Sequence, residues 1–292
     1  MTTAPTDVSA TPSGTFAIGG DLDVVRLGYG TMQLTGDGVW GWPADRDNAV
    51  AVLRRAVELG VTFFDTADSY GPVVAEALLK EALHPYADDV VIATKAGLTR
   101  QGPGQWTPVG VPAYLRQQCE MSLRHLGLER IDLFQLHRID PDVPEDEQFG
   151  VLADLQREGK IRFIGLSEVP VAAIQRARRT LPIVSVQNRY NVTDRASDPV
   201  VDYCERERMA FLPWYPLGAG ALQDAGTIER VAAKHGATAM QVALAWLLAR
   251  SPAMLAIPGT SQVAHLEENV AAAAIRLDAQ DMLDLARIGT PG

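Results

Sequence analysis

Residues 131–167 read IDLFQLHRIDPDVPEDEQFGVLADLQREGKIRFIGLS. The run IDLFQLH (131–137) is largely apolar and closes on His137. The stretch 145–158 carries apolar residues at three- and four-residue spacing, the period of a helix with one buried face. A second apolar run, IRFIGLS (161–167), follows at once. A half-exposed strand would alternate apolar with polar residues. Continuous runs mark strands covered on both faces, and a helical crossover between them makes them parallel.

The same unit recurs in both directions. Strands are predicted over VTFFD (61–65), DVVIATK (89–95), PIVSVQ (182–187), MAFLPW (209–214) and MLAIP (254–258). Helices are predicted over 46–59, 73–84, 112–127, 170–179, 197–207, 227–236 and 262–273. An opening strand around Val25 to Leu27 completes eight β/α units, which in roughly 250 residues is the size of an α/β (β/α)8 TIM barrel. A doubly wound open sheet would place a Gly-rich turn and a helix directly after its first strand. Here Gly28-Tyr29-Gly30-Thr31-Met32 lacks the third glycine at that offset and no helix follows. Two extra helices, 238–250 and 279–288, decorate the barrel, and TFAIGGDLDVV (15–25) reads as a short N-terminal β-hairpin turning at Gly19-Gly20-Asp21. Residues 1–14, rich in Thr, Pro, Ser and Ala, are expected to form a flexible tail. No composition break interrupts 15–292, which is read as a single domain.

The 292 residues carry a net charge of −10, which argues against a nucleic-acid binder, since that needs a basic face. No apolar run approaches the ~20 residues that cross a bilayer, and the polar start lacks the basic and apolar regions of a secretory signal. Cys119 and Cys204 have no CxxC partner, so neither a disulfide framework nor a metal site is expected, and the expected setting is the reducing cytoplasm. Helix exteriors show no sustained heptad, so a monomer is expected.

In a barrel, chemistry collects where the C-terminal ends of the strands meet. Asp65 closes VTFFD, Lys95 closes VVIATK, His137 closes IDLFQLH, and Tyr70 follows in the loop TADSYG. Singly, each has a plain structural reading: a helix cap, a packed ring, a solvent-reaching amine, a hydrogen-bonded imidazole. Together they sit on neighbouring strands and point into one mouth. A carboxylate beside an ammonium can stay charged despite poor solvation, and the ammonium draws the pKa of a nearby tyrosine down from ~10. Such a tyrosine can give a proton to a developing alkoxide and take one back, while a neutral His137 donates a hydrogen bond to the same oxygen. This is machinery for reversible carbonyl reduction. No side chain donates hydride, so a nicotinamide cofactor is implied.

At this point the motifs resemble those of the aldo-keto reductases: DTADSYG (65–71), ATK (93–95), LHR (136–138), GKIRFIGLS (159–167), VQNRYN (186–191) and IPGTSQVAHLEEN (257–269). Within that family GYGTMQL and QGPGQWTP (101–108) look closest to bacterial pyridoxal-reductase-like members. The resemblance implies the (β/α)8 barrel and NADPH, with NADH as a second candidate. It implies Tyr70 as general acid/base, Lys95 and Asp65 as its tuning pair and His137 as orienting donor. Ser167 and Gln187 fall where the family grips the nicotinamide carboxamide, and Trp214 at the position that stacks on the ring. Gly30, Thr31 and Met32 match the first βα loop, and Leu217 and Gly218 the loop folding over the pyrophosphate. Gly259, Thr260, Ser261, Gln262 and His265 match the adenosine-phosphate clamp, with Glu268 and Asn269 at the adenine and ribose positions. The clamp also makes sense on its own terms: hydroxyls and free N–H groups at the start of a helix suit an anion, with a simple N-cap as the alternative for Ser261. Two departures stand out. Glu168 replaces the usual Asn after the carboxamide-binding Ser. The usual Lys and Arg of the clamp align with Gly259 and His265, so selectivity for NADPH over NADH would either be weak or rest on Thr260, Ser261 and Gln262.

Trp40, Trp42, Trp106 and Arg138 are the candidate substrate-pocket residues. The tryptophans suggest an apolar, aromatic-friendly pocket, with closure of the barrel mouth as an equal alternative for Trp40 and Trp42. Arg138 is expected to pair with Asp140 or Asp142, with an acidic substrate as the alternative. The reading is therefore an oxidoreductase acting on small carbonyl compounds. A nicotinamide-binding regulatory or sensor subunit is the rival, and a carboxylate-based barrel hydrolase fails to explain Tyr70 with Lys95.

Overall fold

The computed structural model describes residues 8–216 and 225–288. It opens with an antiparallel hairpin, β1 (Thr15–Ile18) and β2 (Leu22–Val25). The strands β3 (Tyr29–Gly30), β4 (Phe63–Asp65) and β5 (Val91–Ala96) follow, then a second hairpin, β6 (Leu98–Gly102) and β7 (Gln105–Pro108). β8 (Ile131–Leu136), β9 (Ile161–Ser167), β10 (Ile183–Arg189) and β11 (Ala210–Trp214) complete the set. Strands β3, β4, β5, β8, β9, β10 and β11 form one parallel sheet in that spatial order.

The helices are α1 (Arg46–Glu58), α2 (Val74–Leu83), α3 (Pro112–Leu126), α4 (Glu145–Arg157), α5 (Val171–Ala177), α6 (Asp198–Glu207), α7 (Ala225–His235), α8 (Ala239–Arg250), α9 (Val263–Ala271) and α10 (Ala279–Ala286). Their ends follow local chemistry. The Asp45 carboxylate accepts from Asn48 N at the start of α1, α8 begins with a reciprocal Thr238–Gln241 cap, and α3 runs from Pro112 to the left-handed Gly127.

The ring closes through residues 254–256. Met254 bridges to Phe211 of β11 and Ala256 to Leu27, with Leu255 N donating to Phe211 O and Gly28 N to Ala256 O, each at 2.8 Å. Two expectations are corrected here. MLAIP supplies these bridges rather than a full strand, because Pro252 and Pro258 bracket it and offer no N–H to a ladder. The opening strand lies at Tyr29–Gly30, beyond the expected 25–27, because Val25 is spent in the hairpin.

The expected tail is also corrected in part. Residues 8–14 pack on the body: Ala10 is buried with its N–H on Leu59 O (2.8 Å), and Ser13 Oγ accepts from Leu27 N (3.1 Å). Residues 1–7 of that tail, like Leu217 and Gly218, lie outside the described residues.

Successive strand residues face opposite sides. Phe63, Val91, Ala93, Leu133, Ala210, Leu212 and Leu255 point into the barrel and pack with Ile18 and Val24 of the hairpin, which stops the lower end. Their sequence neighbours Phe64, Ile92, Phe134 and Phe211 face the helices. Gly19 is fixed by this stopper: its φ is +65°, and a Cβ there would lie 2.2 Å from the Phe163 ring.

Candidate active site

The inward face that carries Phe63, Ala93 and Leu133 turns polar one two-residue step further along each strand. That step brings Asp65, Lys95 and Gln135 into one layer, with Gln187 of β10 beside them. Lys95 and Gln135 are direct partners in the β5–β8 register. The Lys95 ammonium donates to Asp65 Oδ1 at 2.6 Å, to Thr66 O at 2.8 Å and to the Tyr70 hydroxyl at 3.3 Å. The other carboxylate oxygen of Asp65 accepts from Gln135 Nε2 (3.2 Å) and Gln187 Nε2 (2.9 Å). Asp65, Tyr70, Lys95 and His137, expected together from the strand ends, are all buried in this one cluster.

The electrostatics follow from that burial. Desolvation lowers the pKa of Lys95, but contact with Asp65 and then Tyr70 outweighs it, so the net shift is upward and the amine stays charged. Tyr70 departs from the expectation. Burial raises its pKa, the opposing pull of Lys95 is smaller, and the net shift is upward, so the phenol keeps its proton. Burial, then Lys95 and Arg138, push His137 well below the usual imidazole range, so it is neutral. The Ser69 hydroxyl lies 3.3 Å from Nδ1 of His137; donation by that hydroxyl leaves the ring proton on Nε2.

Tyr70 and His137 face a cavity of about 560 Å³, walled further by Trp106, Arg138, Trp214 and Gly259. Gly30, Thr31, Met32 and Gln187 line it too. Trp40 and Trp42 do not. They are 37% and 47% exposed outside it, with Arg46 over the Trp42 ring at 4.2 Å. Ser167 is buried and accepts from Arg138 at 3.1 Å, so it too lies off the cavity lining.

At the clamp, Thr260 Oγ1 accepts from Gln262 N (3.1 Å) and Ser261 O accepts from Asn48 Nδ2 (2.7 Å). Gln262, not Ser261, caps α9, and no side chain covers that helix start. His265 is exposed on its first turn. The Glu268 carboxylate accepts from Thr238 Oγ1 (2.7 Å), and Asn269 is buried. A Cβ on Gly259 would sit 2.6 Å from Gly30 O, which is why a side chain such as the clamp lysine has no room there.

Three residues escaped the sequence reading, and a fourth, Glu168, entered it only as a departure from the usual Asn. Gln135 holds the far oxygen of Asp65; its signal was an amide inside an otherwise apolar strand, two positions before His137. Ser69, inside TADSYG, sits against His137. Glu168, in the left-handed region at φ +56°, accepts from Trp214 Nε1 at 2.5 Å and from Arg189 N at 2.7 Å, and so fixes the indole plane. Arg100 of β6 stacks 3.6 Å from the Trp106 ring and donates to Val39 O, Ser69 O and Gly38 O at 2.6–2.7 Å, tying three loops together. The Pro103-Gly104 turn between Arg100 and Trp106 was the available hairpin signal. Trp106 in turn meets Tyr70 edge-on, 6.3 Å between centroids. We expect Arg100→Met to loosen this wall and lower kcat/KM roughly ten- to a hundredfold, carried mainly by KM, as steady-state kinetics would report.

The Aldo/keto reductase family model matches residues 26–289, nearly the whole barrel. The chain belongs to the aldo/keto reductase family. Among curated proteins it is 51% identical over 280 residues to an uncharacterized oxidoreductase of Schizosaccharomyces pombe, covering 96% of this chain and 91% of that one. It is 45% identical over 271 residues to pyridoxine 4-dehydrogenase of Escherichia coli K12, covering 91% and 94%. A solved aldo-keto reductase from Klebsiella pneumoniae, in complex with NADPH, superposes with a TM-score of 0.81 at 29% identity, covering 95% of each chain.

Proposed function

We propose that this aldo/keto reductase reduces aldehydes or ketones to alcohols, with NADPH as hydride donor and Tyr70 as proton donor. One observation carries the reading: a buried ammonium that contacts both a carboxylate and a phenol, with the phenol and a neutral imidazole facing the same cavity.

The residues fit a nicotinamide dinucleotide. The flat Trp214 indole walls the same cavity as Tyr70 and His137, and the bare start of α9 offers N–H groups to a phosphate. When bound, the cofactor supplies hydride to the carbonyl carbon. Tyr70 donates its proton to the carbonyl oxygen, and Lys95 stabilises the phenolate left behind. His137 Nε2–H orients the same oxygen. Asp65, Gln135 and Gln187 keep Lys95 aimed at Tyr70.

The test is a panel of aldehydes, pyridoxal first because of the named Escherichia coli relative, read at the nicotinamide absorbance band with NADPH and with NADH. Turnover is expected; cofactor binding without turnover of any carbonyl would favour the regulatory-subunit reading. A monomer working in the cytoplasm is part of the proposal. His265→Arg places a cation at the open start of α9, and it should tighten NADPH relative to NADH by about five- to tenfold in a fluorescence titration. An unchanged ratio rejects this account of the clamp.

A further inference from the structure

The expected pairing of Arg138 with Asp140 or Asp142 does not form. The Asp140 carboxylate is taken by the backbone N–H groups of Gly110 (2.7 Å) and Asp142 (2.9 Å). Among the described residues no Asp or Glu oxygen lies within ion-pair distance of the Arg138 guanidinium. One terminal nitrogen of Arg138 donates to His137 O (2.6 Å) and Ser167 Oγ (3.1 Å). Those two bonds fix the guanidinium plane. Its Nε and its second terminal nitrogen have no hydrogen-bond partner among the described residues. Glu168, the acid whose charge reaches Arg138, accepts from Trp214 Nε1 and Arg189 N through Oε1 alone and makes no ion pair with Arg138 among the described residues. Among the described residues the other charged side chain on the cavity wall, Asp65, has both oxygens filled.

A half-buried cation with an open donor edge therefore stands beside His137 in the cavity where the carbonyl is reduced. The same cavity is lined by the apolar Leu98, Trp106 and Pro108. We infer that Arg138 is the receptor for an oxyanion on the substrate, so that the preferred carbonyl compounds join an apolar or aromatic body to a carboxylate or phosphate. This inference rests on the reductase reading. Guanidinium presents paired N–H donors that match either oxyanion, and a partly desolvated charge gains most from a ligand that neutralises it.

Matched substrates test it. 4-Formylbenzoate is compared with its methyl ester, and 4-formylphenyl phosphate with 4-methoxybenzaldehyde, on the wild type, Arg138→Met and Arg138→Lys. In the wild type, kcat/KM should favour the anionic member of at least one pair by about 10- to 100-fold, the effect of one charged hydrogen-bonded contact. The larger ratio identifies carboxylate or phosphate as the natural group. Arg138→Met should collapse that ratio and Arg138→Lys restore part of it. A wild type indifferent to charge overturns the inference. So does an equal loss on both members of a pair in Arg138→Met, or a weakened NADPH affinity with the ratio intact. If no aldehyde is reduced, the reductase reading fails instead. Arg138 is then judged by calorimetric binding of 4-formylbenzoate to the wild type and Arg138→Met, where equal affinities overturn it.

Discussion

Tyr70→Phe should abolish carbonyl reduction, with kcat falling by about a thousandfold or more, while the affinity for NADPH stays within a factor of a few. The substitution removes one oxygen, the atom 3.3 Å from Lys95 Nζ, and leaves the ring packed against Trp106 and His137. General acid catalysis contributes roughly 10²–10⁴-fold, and no other protonated group in the cluster faces the cavity with comparable acidity. Stopped-flow or steady-state kinetics read the loss, and a fluorescence titration reads the affinity. Collapse of cofactor binding along with turnover would show that Tyr70 had been given the wrong role. The pH dependence carries a sign. Burial raises the Tyr70 pKa, and reduction consumes its proton. The reductive rate should hold through neutral and mildly alkaline pH and fall only above the ordinary phenol range near ~10. Alcohol oxidation needs the phenolate and should rise over the same interval.

Lys95→Met should cost both turnover and stability. The ammonium is fully buried and holds Asp65 Oδ1 at 2.6 Å, so its removal strands a carboxylate in the barrel with only two amide donors. Breaking a buried pair from one side costs about 3–5 kcal/mol. In a chain of this size that lowers the melting temperature by roughly 6–15 °C. The double variant Asp65→Asn, Lys95→Met removes the stranded charge and should recover most of the melting temperature while staying inactive. A Lys95→Met protein that melts with the wild type would contradict the burial of the pair. An active double variant would remove the pair from the chemistry.

The barrel was legible because parallel strands covered on both faces leave long apolar runs, and helices with one buried face leave three- and four-residue spacing. Even the short α5 and the added α8 and α10 lay within a few residues of expectation. The eighth strand was less so, since 254–258 makes only bridge contacts and apolar content cannot distinguish a bridge from a ladder. Asp65, Lys95 and His137 could be read because each closes an apolar run at its carboxyl end, and Tyr70 because it follows in the short loop after Asp65. Gln135, Ser69, Glu168 and Arg100 could not be read in the same way. Their roles come from partners 21 to 70 positions away, such as Asp65 for Gln135 and Arg189 for Glu168, and no local pattern encodes that distance. The direction of the Tyr70 shift was missed for a related reason: a sequence shows that an ammonium is near, not how completely water is excluded.

The hairpin that seats Ile18 and Val24 against Phe63 has a consequence for traffic. With the floor stopped, the described residues leave the polar layer open toward the cavity walled by Trp106 and Trp214, so visitors arrive and depart on that side. Whatever settles deepest is last out, so the order of arrivals and departures is imposed by architecture before any affinity is considered.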